Sequence, residues 1–143
     1  MGEIMNREIE FRAWLKKENK MVNVKSIHFG TKKIMYGYSV NSQNYGNKTC
    51  KFEDCELMEC TQLKDKNETK IFEGDILRLP SYLFDGELCV CVYHDTECGI
   101  GFELIESRKY NIGHDYCILS DEWEDFEVVG NIYDNPELLQ QCE

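Results

Sequence analysis

Proline is nearly missing from the chain: 2 residues in 143, which excludes a Pro-rich linker or tail. No apolar run approaches the roughly 18 residues that a membrane-spanning helix needs. The first residues, MGEIMNREIEFRAW, have no apolar core and carry acid early, so no secretory signal is expected and the chain is read as cytoplasmic. CxxC pairs are absent, which removes the usual zinc-ribbon and thioredoxin-like signatures. Basic residues are scarce in the second half, where only Arg78, Arg108 and Lys109 occur after residue 71. What is present is a 42% hydrophobic, 12% aromatic composition, enough for a real core and against wholesale disorder. The length suits one domain, or two very small ones.

The charge is lopsided. Residues 1–71 hold 13 basic and 10 acidic side chains, whereas residues 72–143 hold 3 basic and 17 acidic, for an overall −11. The acidic second half repels phosphate, so no direct nucleic-acid backbone binding is expected; no membrane partner is expected either, for want of a long apolar run. The acidic surface suits a solvated face that keeps the protein soluble, or a basic partner, including the basic groove of a nucleic-acid-handling protein.

Eight cysteines occur at 50, 55, 60, 89, 91, 98, 117 and 142. Without a secreted context they are read as reduced thiols. Cys89, Cys91, His94 and Cys98 have the residue types of a soft-metal site, but a straight strand does not bring them within about 2.3 Å of one ion. Cys89 and Cys91 are read as small inward-facing core residues, and no metal or cofactor is expected. Cys50, Cys55 and Cys60 fall at intervals of five, matching no helix face or ligand spacing.

Local patterning is mostly that of strands. Residues 7–14 alternate, with Ile9, Phe11 and Ala13 on one side. Residues 16–20 are a polar turn, and Met21, Val22, Val24 and Ile27 suggest a second short strand. Residues 30–48 mix Gly, Ser, Asn and Lys with Tyr36, Tyr38 and Tyr45; a mobile hairpin with exposed tyrosines is preferred to a base-stacking loop. Residues 52–63 fit either helical turns or a strand over 57–63. Ile71 and Phe72 pack, Glu73-Gly74-Asp75 turns, and Ile76, Leu77 and Leu79 begin a new strand; Gly74 suits positive φ. Glu73 and Asp75 are read as turn residues rather than an acid/base pair. Residues 87–93 are the strongest strand, with 101–105 as hairpin partner across 94–99. Residues 115–119 and 126–132 add strands, and 121–125 an acidic turn. Asn135-Pro136-Glu137-Leu138-Leu139 is a helical turn with Asn135 as N-cap. The expected fold is mainly β with minor α: a small antiparallel barrel or roll in the C-terminal half and a smaller β-rich part before it.

Four segments, in order, resemble the YopX family of phage and prophage proteins. They are Arg7-Glu8-Ile9-Glu10-Phe11-Arg12-Ala13-Trp14, then Lys17-Glu18-Asn19-Lys20-Met21, then Thr61-Gln62-Leu63-Lys64-Asp65-Lys66-Asn67 leading into Ile71-Phe72-Glu73-Gly74-Asp75-Ile76, and Val128-Val129-Gly130-Asn131-Ile132-Tyr133-Asp134-Asn135-Pro136-Glu137-Leu138-Leu139. Gln62 and Glu68 stand where the family usually has Gly, a departure that concerns turn geometry. The resemblance implies one YopX-like domain over 1–143, with an N-terminal β-rich part at 1–69 and an SH3-type barrel at 70–143. It also implies a phage gene expressed in a bacterial host cytoplasm, and homo-oligomerisation. It supplies no catalytic residue, metal or cofactor.

No enzymatic constellation stands out. His28, His94 and His114 meet one of eight thiols too easily for that pairing to carry information, and Gly99-Ile100-Gly101 is too short for a phosphate cradle. The leading expectation is a non-enzymatic module binding a host or phage protein. Its candidate contact is Asp121-Glu122-Trp123-Glu124-Asp125-Phe126, aromatic anchors framed by acid, with closure of the barrel by Trp123 and Phe126 as the structural alternative. Two other functions fit the same composition. One is a counter-defence protein imitating DNA charge. The other is an oligomer sequestering a nucleotide-like molecule through Arg78, Arg108 and Lys109.

Overall fold

The computed structural model describes residues 9–39, 41, 43–82, 86–93, 100–104, 115–117 and 122–140. The architecture is mainly antiparallel β, as expected. The chain divides into two compact units, one over Glu8–Glu59 and one from Cys60 onward.

The first unit is a meander. β1 (Phe11–Leu15), β2 (Lys20–His28), β3 (Lys33–Ser39) and β4 (Tyr45–Lys51) pair in sequence, and β1 also pairs with residues 55–59 of β5 (Cys55–Lys64). The turn after β1 closes with Asn19 at φ 52 and its N–H donating to the Leu15 carbonyl at 2.8 Å. Asparagine tolerates this left-handed geometry better than most residues. Alternation sets the faces: Ala13, Leu15, Ile34, Tyr36 and Cys55 are buried together, with Val22, Val24 and Ile27 packed against them.

Residues 30–48 thus form most of the β3–β4 hairpin, in which Tyr45 is exposed as expected and Tyr36 is buried. Their Gly- and Asn-rich composition is weak for a strand, but seven register pairs between β3 and β4 and the burial of Ile34 and Tyr36 supply what propensity does not. Residues 52–63 resolve the other ambiguity both ways. A single 3-10 turn, Phe52–Asp54, precedes the long strand β5.

In the second unit β5 hydrogen-bonds β6 (Lys70–Phe72) across a bulge between Cys60 and Lys64. The Thr61 hydroxyl donates to the Ile71 carbonyl at 2.7 Å and accepts the Leu63 amide at 3.1 Å, and Gln62 sits at φ 70. A bulge residue in this region is ordinarily Gly. Five further strands follow: β7 (Asp75–Arg78), β8 (Leu88–Tyr93), β9 (Ile100–Leu104), β10 (Asp115–Cys117) and β11 (Glu127–Asn131). Their order is β10-β9-β8-β7-β11. The sheet is open and roll-like, with β10 and β11 at its edges, so the barrel expected of this half is not closed among the described residues. One cluster holds Ile71, Leu77, Leu79, Cys89, Cys91 and Phe126; the other holds Ile76, Leu88 and Val90, with Val92, Val129, Ile132, Leu138 and Leu139 against them.

Two turns carry backbone that only particular residues allow. Gly74 has φ 88, and its N–H and carbonyl bond Cys91 of β8 and Ile132 beyond β11, while Asp75 Oδ2 accepts the Phe72 amide. Gly130 has no room for a side chain: a Cβ there would lie 2.4 Å from Asn135 Oδ1. Asn135 does not cap the C-terminal 3-10 turn Pro136–Gln140 with its side-chain oxygen. That oxygen turns back to accept the Asn131 amide at 3.2 Å, and the Asn135 carbonyl accepts Leu138 N–H.

Candidate functional site

The acidic segment lies on a 3-10 turn, Glu122–Asp125, that runs into β11. Asp121 and the side chains of Glu122 and Trp123 lie outside the described residues. Glu124 and Asp125 are exposed, and Tyr82 donates its hydroxyl to Asp125 Oδ2. Phe126 is fully buried against Ile71, Leu77 and Cys89. It is therefore the root of the turn and not a surface for a partner, while the two described carboxylates remain outside.

Asp65 fixes this turn from the other side. Its side chain is buried, and both oxygens are used: Oδ1 accepts the Asn67 and Thr69 amides and Oδ2 the Val128 amide, each at 2.8 Å. The backbone adds a bond from Lys66 N–H to the Phe126 carbonyl at 2.9 Å. A buried carboxylate costs free energy unless hydrogen bonds satisfy it. Here three backbone donors do so, tying the β5–β6 turn to both ends of the β11 entry.

A depression of about 440 Å³ opens beside this clamp, lined by the 62–66 segment together with Glu68 and Glu124. Its chemistry is mixed-charge and polar. Lys64 pairs with Glu68 at 3.8 Å, both exposed, and Lys66 with half-buried Glu127 at 3.9 Å; such pairs at the surface are worth little to stability. Gln62 and Glu68 have φ 70 and 66, so both positions at which the resemblance implies Gly adopt the left-handed conformation that favours it.

Three of the described thiols, Cys50, Cys55 and Cys89, are held in the protonated form by burial. Cys89 and Cys91 face the core, as the strand pattern implied, and burial pushes the Cys89 thiol up. His94 and Cys98 lie outside the described residues. Cys55 is pushed up to about 11, first by burial and then by neighbouring Cys50, whose own thiol is raised by burial. Only the thiolate attacks or ligates, so these shifts keep both groups inert near neutral pH. Spacing gave no hint that Cys50 and Cys55 adjoin; the 3-10 turn between β4 and β5 brings both thiols to the Lys51 carbonyl at 3.5 Å. Among the described residues, no group of three or more His, Cys, Asp or Glu side chains is placed to hold a metal ion. No helix among the described residues is long and apolar enough to cross a membrane.

The model of the family described as YopX protein matches residues 10–140, nearly the whole chain. The chain belongs to the YopX family. Two solved structures share the fold. Protein EF1440 from Enterococcus faecalis has a TM-score of 0.64 at 24% identity, covering 94% of this chain and 99% of that one. Protein yopX from Bacillus subtilis has a TM-score of 0.53 at 16% identity, covering 94% and 98%. No curated protein matches. Within this YopX protein, the Asp65 clamp, the Gly74 turn and the Gly130–Asn135 contact all fall in the segments that carried the resemblance. The third and fourth of those segments thus each contain a contact that fixes backbone geometry.

Proposed function

We propose that this YopX protein is a non-enzymatic phage or prophage accessory protein that binds a host or phage protein through its acidic turn. The observation that carries the reading is the turn's construction. Glu124 and Asp125 are exposed, while Phe126 is fully buried and the adjoining backbone is held by Asp65 and Lys66. Charge presented on pre-ordered backbone selects a partner with little ordering cost on binding. A basic partner surface is the complement, since residues 72–143 hold 17 acidic and 3 basic side chains.

Replacing Asp121, Glu122, Glu124 and Asp125 with Asn and Gln tests this. The fold should persist, because Phe126 and Asp65 are untouched, and capture of a partner from host lysate should fall. Unchanged capture would contradict the reading. The same charge count favours a second reading, an acidic counter-defence protein that imitates DNA. Under it, the protein competes with duplex DNA for a basic host protein and the competition fades with salt; indifference to salt would remove it.

A further inference from the structure

The net charge conceals a segment of opposite character. From Asn19 to Phe52 the chain runs 34 residues without one Asp or Glu, although 27 occur in the protein, and the segment contains six lysines and His28. It builds β2, β3 and β4. Register puts His28 opposite Lys33, and Lys33 opposite Lys51, a row of one histidine and two lysines across three strands. All three are exposed; neither Lys33 nor Lys51 makes an ion pair among the described residues, and Glu18 and Asp54 border the depression that both line. Like charges directly opposite destabilise a sheet, so a local arrangement of this kind conflicts with folding and suits a site that awaits an anion.

Exposed aromatics accompany the row. Phe29 follows His28 directly and is 76% exposed; its ring meets Phe52 edge-on, with centroids 6.2 Å apart and planes at 76°, which leaves ring surface open. Beside it, a depression of about 390 Å³ is lined by Thr31, Lys32, Lys33, Lys51, Phe52 and the bordering carboxylate of Glu53. Tyr45, 80% exposed, begins β4 at the far end from Lys51, about 20 Å away along the strand. On the same outward side Lys25 Nζ donates to Asn47 Oδ1 at 3.1 Å.

We propose that the outward face of β2, β3 and β4 binds single-stranded nucleic acid. Lysines hold backbone phosphates and Phe29 and Tyr45 stack unpaired bases, a combination that binds strands with little sequence preference. An acidic peptide would use the lysines and leave the aromatic rings idle, and a duplex keeps its bases from them. The expectation of no nucleic-acid backbone contact rests on the acidic residues 72–143, and this face lies outside them. The proposal is independent of the acidic turn, which lies in the other unit.

The test is fluorescence anisotropy of labelled oligo(dT) and oligo(U) of about 15 nucleotides with the full chain, from about 50 to 200 mM salt. A duplex of equal length is the control and poly-glutamate the competitor. Single strands should bind with a log–log salt slope of about −2, as expected for three phosphate contacts. The K33E/K51E pair should lower affinity at least about tenfold by losing phosphate contacts. Phe29→Ala should weaken binding about fivefold or more without changing the slope. The milder K33Q/K51Q pair, with circular dichroism on every variant, separates lost binding from lost fold. Any of three results would overturn the proposal: no binding at the lowest salt, equal affinity for duplex, or displacement by poly-glutamate combined with no effect of Phe29→Ala.

Discussion

Asp65 Oδ2 accepts the amide proton of Val128 at 2.8 Å, so one carboxylate in the β5–β6 turn sets where β11 begins. Its other oxygen closes the turn itself through Asn67 and Thr69. Asp65→Ala leaves three backbone donors without that acceptor and should cost about 2–4 kcal/mol in urea unfolding. Asp65→Asn is the sharper probe. It keeps one acceptor oxygen but points an amide donor at a donor on one side, so it should recover less than half of the loss. Full recovery would mean that the charge and the second acceptor are dispensable.

Gly130 and Asn135 are coupled through space. Because a Cβ at residue 130 would fall 2.4 Å from Asn135 Oδ1, Gly130→Ala should destabilise by about 1–3 kcal/mol. Asn135→Ala alone loses the hydrogen bond to Asn131, but it also removes the obstruction. The double variant should therefore be more stable than the two single losses added together, a non-additivity read from a double-mutant cycle. Simple additivity would contradict the close contact.

Gln62 and Glu68 are non-glycine residues at φ 70 and 66. The left-handed region costs such residues about 1 kcal/mol, partly offset by the greater freedom glycine gains when unfolded. Gln62→Gly and Glu68→Gly should each leave the chain as stable or raise its stability by up to about 1 kcal/mol. A clear loss in thermal or urea unfolding would show that their side chains contribute more than their backbone strain removes.

Buried thiols give a pH dependence of known sign. Burial raises Cys55 to about 11 and raises Cys89 from an ordinary value of 9.0, so the unfolded chain ionises first. Their contribution is fully present below pH 9 and is lost as pH rises through the range towards 11. Urea midpoints should be flat near neutrality and fall in that alkaline window, and Cys55→Ala or Cys89→Ala should flatten the fall. An unaltered alkaline slope in both variants would assign it to other groups.

Local signals made part of this fold legible. Residues 87–93 are β-branched and bounded by turn residues, and β8 occupies 88–93; Gly74 between two acids marked a turn at positive φ. What escaped was non-local. β3 and β4 contain Gly37, Gly46 and Asn47, poor strand formers that owe their state to partners and to the core beneath Ile34 and Tyr36. Asp65 read as one polar residue in a polar turn, because nothing nearby reveals a bond to a residue 63 positions on. Phe126 read as a candidate contact because its pattern is that of any aromatic beside acid, and only packing shows it to be core. The His28–Lys33–Lys51 row escaped for the same reason: its members are scattered along the chain until strand register aligns them.

Site-specific photocrosslinking from position 124 in host cells tests the contact role most directly. A photoreactive residue replaces Glu124 in the otherwise intact chain, with a matched probe at exposed Glu56, outside the acidic turn. The expected result is a discrete adduct from position 124 that weakens when Asp121, Glu122 and Asp125 are neutralised and is absent from position 56. Indistinguishable products from the two positions, or an adduct indifferent to those neutral substitutions, would contradict partner binding through the acidic turn.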